Sequence, residues 1–470
     1  VLIVSIIAYL LITVLIGYWA SRFVKNPTDF VLAGRSLPMP LAASAMFATW
    51  FGSETILGAS SEFMTHGLIG VMEDPFGAAL CLFLVGLFFA RPLYRMNILT
   101  FGDFYRVKFG KKTELVASLF LVPSYFGWIA AQFVAIGIII NVVSGIPFSI
   151  GMILGALVVI FYTYIGGMWA ISITDFLQTI IILIGLGILA YQVSGSAGGV
   201  ETVLSNTPEG FFRFFPESNY HSITHYIAAW ITIGLGSIPQ QDVFQRVMAA
   251  KSETVSVRAS YFGSFLYLTI GLIPLFIGLC AKQLYPDILE GDIQLAIPRV
   301  VLMHANLFLQ VMFFGALLSA IMSTSSGAIL APASILAENI IKPRLQFSDD
   351  RRLLKLLRYS VIFVALVSLV LANLEANIYG LVAMSSAFSL VSLFAPMLAG
   401  LYWKKINATG AITSMFSGMM AWLFCEAIGT ETPSILIGLA VSFVALFIGA
   451  LFPNVEKEEK PQEAGVGTKK

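Results

Sequence analysis

Charge is what this 470-residue sequence has least of. Only 11% of it is Asp, Glu, Lys or Arg, less than half the share of about 25% usual in soluble domains. That excludes an ordinary water-soluble globule. Net charge is +1, and no basic domain exists to hold a nucleic acid. Cysteine is scarce as well: Cys81, Cys280 and Cys425 lie far apart and match no metal spacing. The four histidines, His66, His221, His225 and His304, form no metal motif either. There is no nucleophile elbow and no phosphate loop, so the chain is not expected to be an enzyme. The first apolar run, Val1 to Ala20, has no basic stretch before it and reads as a spanning helix, not a cleaved leader. With Val1 and not Met at its start, the chain is expected to be a trimmed one.

What the sequence does have is apolar length. It is 58% hydrophobic with a mean hydropathy of +0.88. Runs of around twenty apolar residues, enough to cross a bilayer, recur throughout. Thirteen spans are expected, near 1–21, 39–64, 69–90, 114–143, 148–165, 170–193, 223–249, 257–281, 305–335, 357–373, 380–402, 409–428 and 434–452. An odd number puts the termini on opposite sides of the membrane. With the C-terminus in the cytoplasm, only Arg213, Lys282 and Arg299 of the 27 basic residues fall outside. The positive-inside rule therefore orients the chain with its N-terminus out. The tail 454–470, VEKEEKPQEAGVGTKK in its last part, is charged and expected to be disordered.

Two spans contain breaking residues. The second carries ATWFGSETILG (48–58), with Gly52 beside polar Ser53, Glu54 and Thr55; the seventh carries IGLGSIPQQ (233–241), with Gly234, Gly236 and Pro239. Glycine frees the backbone, and proline removes a donor and clashes with the preceding turn. Unwound carbonyls at membrane depth are tolerated where they line a cavity or bind something. The two spans are five helices apart, so 39–193 and 223–402 are candidate five-helix repeats, the second inverted. Around them lie the first span with its linker (1–38), an outer loop (194–222) and two last spans (403–453). Two ordinary kinked helices are the alternative.

The ninth span holds GALLSAIMSTSSGAILAPASILAE (315–338), with five hydroxyls between Ser319 and Ser326. Ala320, Ser323 and Thr324 share one helix face. Hydroxyls there, with carbonyls near Ala48 and Phe51 of the first break, make a set of hard oxygens suited to a small cation such as sodium. Close helix packing is the alternative reading of the same residues. Buried acids mark function by default. Asp175 can neutralise a second cation, relay a proton or cap a helix. Glu54 sits beside the first break. Glu73 and Asp74 fall either at the outer surface or at the solute site, Asp242 and Arg246 are spaced to pair with each other, and Glu426 lies at an outer end in solvent. Trp50, inside the break, and Trp128 can attract an amine through their ring faces.

Together FVLAGRSLP (30–38), ATW (48–50), LFFARPLY (87–94), YTYIGGMWAISITDFLQ (162–178), IPQQDVFQRV (238–247) and SAIMSTSSGAIL (319–330) resemble the sodium:solute symporter family over nearly the whole chain. That resemblance implies an all-α integral membrane protein with the LeuT-type inverted repeat. It places the main sodium site on carbonyls of Ala48, Phe51 and Ala320 and hydroxyls of Ser323 and Thr324. A second cation in some members uses the equivalents of Asp175 and Ser326. Here Gly327 stands where those members have a further hydroxyl, which leaves a second ion open. The motifs are most similar to the sodium/choline and sodium/proline branches. Trp50 and Trp128 match rings of a choline cage, whereas Gln240, Ala78 and Val382 replace others. The expected solute contacts are Trp50, Ser53, Glu54, Glu73, Trp128, Gln132, Gln240 and Gln241.

The expected function is sodium-coupled uptake of a small amine or amino-acid-like solute across the plasma membrane, by alternating access. The competing readings are a proton-coupled symporter of the same fold and a sodium symporter for a sugar or carboxylate. Neither the lipid-embedded spans nor the short tail suits a channel ring or a signalling domain.

Overall fold

The computed structural model describes residues 2–287, 292–345, 349–374 and 377–456. Of the expected tail, 457–470 lies outside them. The described chain is helical, apart from one isolated bridge between Leu37 and Ala250. All thirteen expected spans have a helical counterpart. Nine helices are long and apolar enough to cross a membrane, among the described residues, and shorter apolar helices accompany them.

In chain order, α1 is Leu2–Phe23. The second span is split: α2 covers Met39–Ala48, and α3 resumes as Glu54–Ala59 and Ser60–His66. Then come α4 (Leu68–Arg95) and α5 (Lys111–Ser144). The stretch Phe148–Ser196 turns at Gly167, whose φ of 53° and ψ of −159° suit only glycine, and this divides it into α6 and α7. The seventh span is also split, into α8 (Tyr220–Gly236) and α9 (Gln241–Ala249). After α10 (Glu253–Leu284) a helix that the sequence reading did not anticipate, α11 (Ile293–His304), precedes α12 (Leu307–Leu345). The last four are α13 (Asp350–Ala372), α14 (Ile378–Tyr402), α15 (Ala408–Ile428) and α16 (Ser434–Ala450).

Helix starts are marked chemically. Asn219, Ser252, Asn306, Asn377 and Asn407 each cap a helix, their side chains accepting a backbone N–H of the first turn. This satisfies donors that would otherwise be orphaned where a helix begins. Sidedness follows from burial. Val4, Leu11, Ile12 and Leu15 of α1 are exposed, which suits a helix facing lipid tails. By contrast every residue of α12 from Phe313 to Ile335 is buried. The serine helix is the axis of the molecule, so its hydroxyls face protein and not lipid.

The basic loops gather at one end. There Arg95 bonds Glu253 at 2.8 Å, Arg106 meets Asp103 at 3.0 Å, and Lys112 donates to the Val455 carbonyl at 3.0 Å. Buried beneath them is Asn339 of α12. Its amide donates to Asp103 (3.0 Å) and Glu114 (2.7 Å), and its carbonyl accepts from Thr100 (2.7 Å). The opposite end opens into a vestibule of about 1290 Å³, lined among others by His66, Glu73, His225 and Glu426.

The first half of the broken seventh span, α8, packs against α14 at backbone range. A methyl group on Gly236 would lie 2.4 Å from the Ser386 carbonyl oxygen. Gly236→Ala should therefore destabilise the protein by about 1–3 kcal/mol, the usual cost of overpacking. Gly187→Ala, with nothing within 4 Å of the added carbon, should not. Thermal unfolding of the two variants in detergent checks this; equal midpoints would refute the close α8–α14 approach.

Candidate functional site

The first break spans Thr49–Gly52, between α2 and α3. The carbonyl of Ala48, the last residue of α2, accepts the Thr324 hydroxyl at 3.1 Å. Gly52 lies against the same hydroxyl, 3.4 Å from where its side chain would begin. Next to Thr324 on α12, Ser323 donates to a carboxylate oxygen of Asp175 from α7. The other oxygen of Asp175 is buried without a partner. A buried carboxylate with an open oxygen, beside two hydroxyls and an unwound carbonyl, is a donor set for a hard cation. Ala48, Ser323, Thr324 and Asp175 are thus brought together, with Ala320 one turn along the same helix and Phe51 inside the break.

The other serines of α12 are used differently. Ser325 and Ser326 donate back to their own helix, to the carbonyls of Ile321 and Met322 at 2.5 and 2.7 Å. Ser319 accepts from Gln178 at 2.5 Å and donates to Thr13 of α1 at 3.3 Å. Gly327 has no room for a side chain: its first carbon would sit 2.4 Å from the guanidinium of Arg246.

Beside this lies a narrow cavity between the two breaks, about 10 Å³ by the same measure as the vestibule, room for about one water. Trp50, Glu54, Asp74, Trp128, Gln240 and Ser385 are among the residues lining it. Among the described residues, no Lys, Arg or His lines it. The Trp128 indole donates to Oε2 of Glu54 at 2.7 Å, and Gln132 donates to the same oxygen at 3.2 Å. Ser53 in turn holds Gln132 at 2.8 Å. The Trp50 indole donates to Asp242 at 3.2 Å. Both indole N–H groups are therefore tied to carboxylates.

Several expected contacts are relocated. Ser53 and Gln132 stand behind Glu54 as supports and do not line the cavity. Gln241 turns away: its carbonyl accepts the Phe101 N–H at 2.5 Å and its amide donates to Ser334 at 3.3 Å. Glu73 belongs to the vestibule, while its neighbour Asp74 reaches the cavity. Gln240 lines the cavity and donates to Ser389 of α14 at 3.0 Å. The expected pairing of Asp242 with Arg246 takes another form. Arg246 donates to the backbone carbonyl of Asp242 at 3.3 Å, and the carboxylate is held by Trp50 and by the Tyr125 hydroxyl at 2.6 Å.

Two groups of contributors escaped the sequence reading. Tyr125 follows a proline turn in VPSYFGW, with no sign of its distant partner. The serines of AMSSAFSLVS on α14 form a seam with the second break. Ser389 donates to the Gly236 carbonyl at 2.6 Å, and Ser386 meets Ser237 at 3.2 Å. Clustered hydroxyls in an apolar span were the available signal.

Comparison with known proteins agrees with this arrangement. The sequence model of the sodium:solute symporter family matches residues 30–418. High-affinity choline transporter 1 of Drosophila melanogaster is 27% identical over 478 residues, covering 98% of this chain and 74% of that one. High-affinity proline transporter PutP of Bacillus subtilis (strain 168) is 27% identical over 464 residues, covering 94% and 96%. Among solved structures, a Na+-coupled sialic acid symporter in a substrate-bound outward-open state superposes with a TM-score of 0.81. It is 20% identical, with 96% of this chain and 98% of that one covered. MhsT in complex with L-phenylalanine gives a TM-score of 0.57 at 14% identity, covering 88% and 98%. These likenesses carry the LeuT-type fold, and the family match extends over most of the chain: it belongs to the sodium:solute symporter family, whose members are transporters, and its function is Na+-coupled symport of a small solute.

Proposed function

We propose that the chain takes up a small organic amine together with sodium across the plasma membrane, by alternating access. The N-terminus lies outside and the basic end faces the cytoplasm. Residues 39–193 and 223–402 act as the two inverted repeats. Sodium sits where α2 ends, held by the Ala48, Phe51 and Ala320 carbonyls and the Ser323 and Thr324 hydroxyls, with Asp175 supplying the compensating charge. The solute occupies the cavity between the breaks, against Glu54, Trp50 and Trp128.

The observation that supports an amine is the charge of the cavity. Glu54 and Asp74 line it, and no basic group of the described residues does. An anionic solute would add a third negative charge in a medium where each unit charge is costly. With their N–H edges tied to carboxylates, the two indoles have their faces left to offer a cation. The choline transporters among the relatives carry a quaternary ammonium cation, which fits the same chemistry; the proline transporters carry a secondary ammonium paired with a carboxylate.

The energetics suffice. One charge crossing about 100 mV releases roughly 2.3 kcal/mol, and a tenfold sodium gradient adds about 1.4 kcal/mol. Together these hold a neutral solute at roughly 500-fold accumulation, and the potential acts on a cationic solute in addition.

Two measurements in proteoliposomes test this reading. Ser323→Ala and Thr324→Ala each remove one hydroxyl oxygen, and each should raise the sodium concentration for half-maximal uptake about tenfold. Unchanged sodium dependence in both would refute the site. Glu54→Gln keeps the shape and removes the charge; it should abolish uptake of amines while the protein keeps its thermal stabilisation by sodium. Stabilisation of the wild type by carboxylates or sugars, and not by amines, would refute the solute class.

A further inference from the structure

Four carboxylates are buried in the middle of the molecule: Glu54, Asp74, Asp175 and Asp242. Among the described residues one buried basic side chain, Arg246, faces them. It lies near enough to act on both Asp175 and Asp242. One sodium ion beside Ser323 and Asp175 leaves two negative charges without a counterpart, and the two residues left are those lining the cavity. An uncompensated charge in a low-dielectric interior is costly, so each of the two either takes up a proton or meets a positive charge brought by the cargo.

Asp74 is the less occupied of the two. It is 2% exposed, it lines the cavity, and neither of its oxygens has a hydrogen-bond partner. The Thr55 hydroxyl is near enough to act on it, and the Tyr267 hydroxyl lies close by; both are buried without another firm partner. Even if both turned to it, each has one hydrogen to give, whereas a carboxylate accepts about four. At least two lone pairs are left for something in the cavity. Glu54 stands on α3 and Asp74 on α4, so the two anions approach from different walls. Both side-chain bonds to Glu54 fall on Oε2, which leaves it able to receive a cation of its own.

We propose that the cavity is built for a small organic dication, a diamine in preference to a monoamine, with Glu54 anchoring one ammonium and Asp74 the other. This rests on the amine reading above and narrows it. Gln240, Ser237 and Ser385 on the cavity wall suit it as well, because primary ammonium groups carry three donors each and a quaternary one carries none.

The test is competition in sodium-dependent thermal stabilisation and uptake by the purified full chain, with 1,4-diaminobutane, butylamine and choline as probes. The wild type should bind the diamine at least about tenfold more tightly than butylamine, the worth of one charge-assisted pair. Asp74→Asn should collapse that ratio towards one. The wild-type comparison needs no variant, so a misfolded Asp74→Asn leaves the proposal exposed to refutation. Equal affinity of the wild type for diamine and butylamine would overturn the dication while leaving the amine reading intact, as would an Asp74→Asn protein that keeps the full ratio. Failure of all three amines would overturn the amine reading itself.

Discussion

A helix that stops inside a bilayer must hand its backbone groups to another part of the protein, because lipid takes none of them. The whole centre of this molecule follows from meeting that constraint twice. Where α2 stops, the Ala48 carbonyl goes to Thr324 of α12. Where α8 stops, the Gly236 carbonyl goes to Ser389 of α14. Each broken span thus has its own hydroxyl-bearing partner helix, and each partner is among the most buried helices of the fold. This gives Thr324 and Ser389 a part in the architecture before any ion or solute is considered. It also explains why the cavity lies between the breaks: the unwound turns leave space, and the hydroxyls keep that space polar.

The degree to which each buried acid is satisfied separates framework from function. Asp242 accepts from Trp50, from Tyr125 and lies under Arg246, while its own N–H donates to the Tyr125 oxygen at 2.9 Å. It is locked and holds the second break against α5. Glu54 has two donors on one oxygen. Asp175 has one donor and one open oxygen, and Asp74 has none. An unpaired buried carboxylate costs several kcal/mol unless a proton or a cation joins it. The series from Asp242 to Asp74 runs from the most to the least hydrogen-bonded acid, the order expected of a scaffold and a proposed site.

The elements were legible in the sequence wherever one segment alone decided them. Thirteen apolar stretches, the Gly52 and Gly236–Pro239 breaks and the hydroxyl-rich face of α12 all depend on local composition. The helix α11 was not legible, since Ile293–His304 is too short to read as a span. What sequence could not give was orientation around each axis. Gln240 and Gln241 are adjacent, yet one faces the cavity and the other reaches Phe101 and Ser334. Glu73 and Asp74 divide between vestibule and cavity in the same way. A single residue step turns a helix by about a quarter of a circle, so the neighbour that a side chain meets is set by packing of distant helices.

The asymmetry of the two ends bears on how the molecule opens. At the open end the vestibule approaches the cavity along α8 and α14, which line both. The basic end is closed by Asn339 and its three partners, Thr100, Asp103 and Glu114, with Arg106 bridging the two acids from outside. Arg95 is largely exposed, and exposed pairs contribute about 0–1 kcal/mol each. The hold on that end therefore rests on the amide hub, whose bonds to carboxylates contribute about 1.5–3 kcal/mol each, together with Arg106, which is partly exposed and meets two buried acids. Asn339 is on α12, the helix that also carries Ser323 and Thr324. A cation at the proposed site would thus pull on the same helix that fastens the closed end, across Pro332 and the π-helical stretch Leu336–Ile341. The proposed cation site and the closure at the basic end thereby share α12.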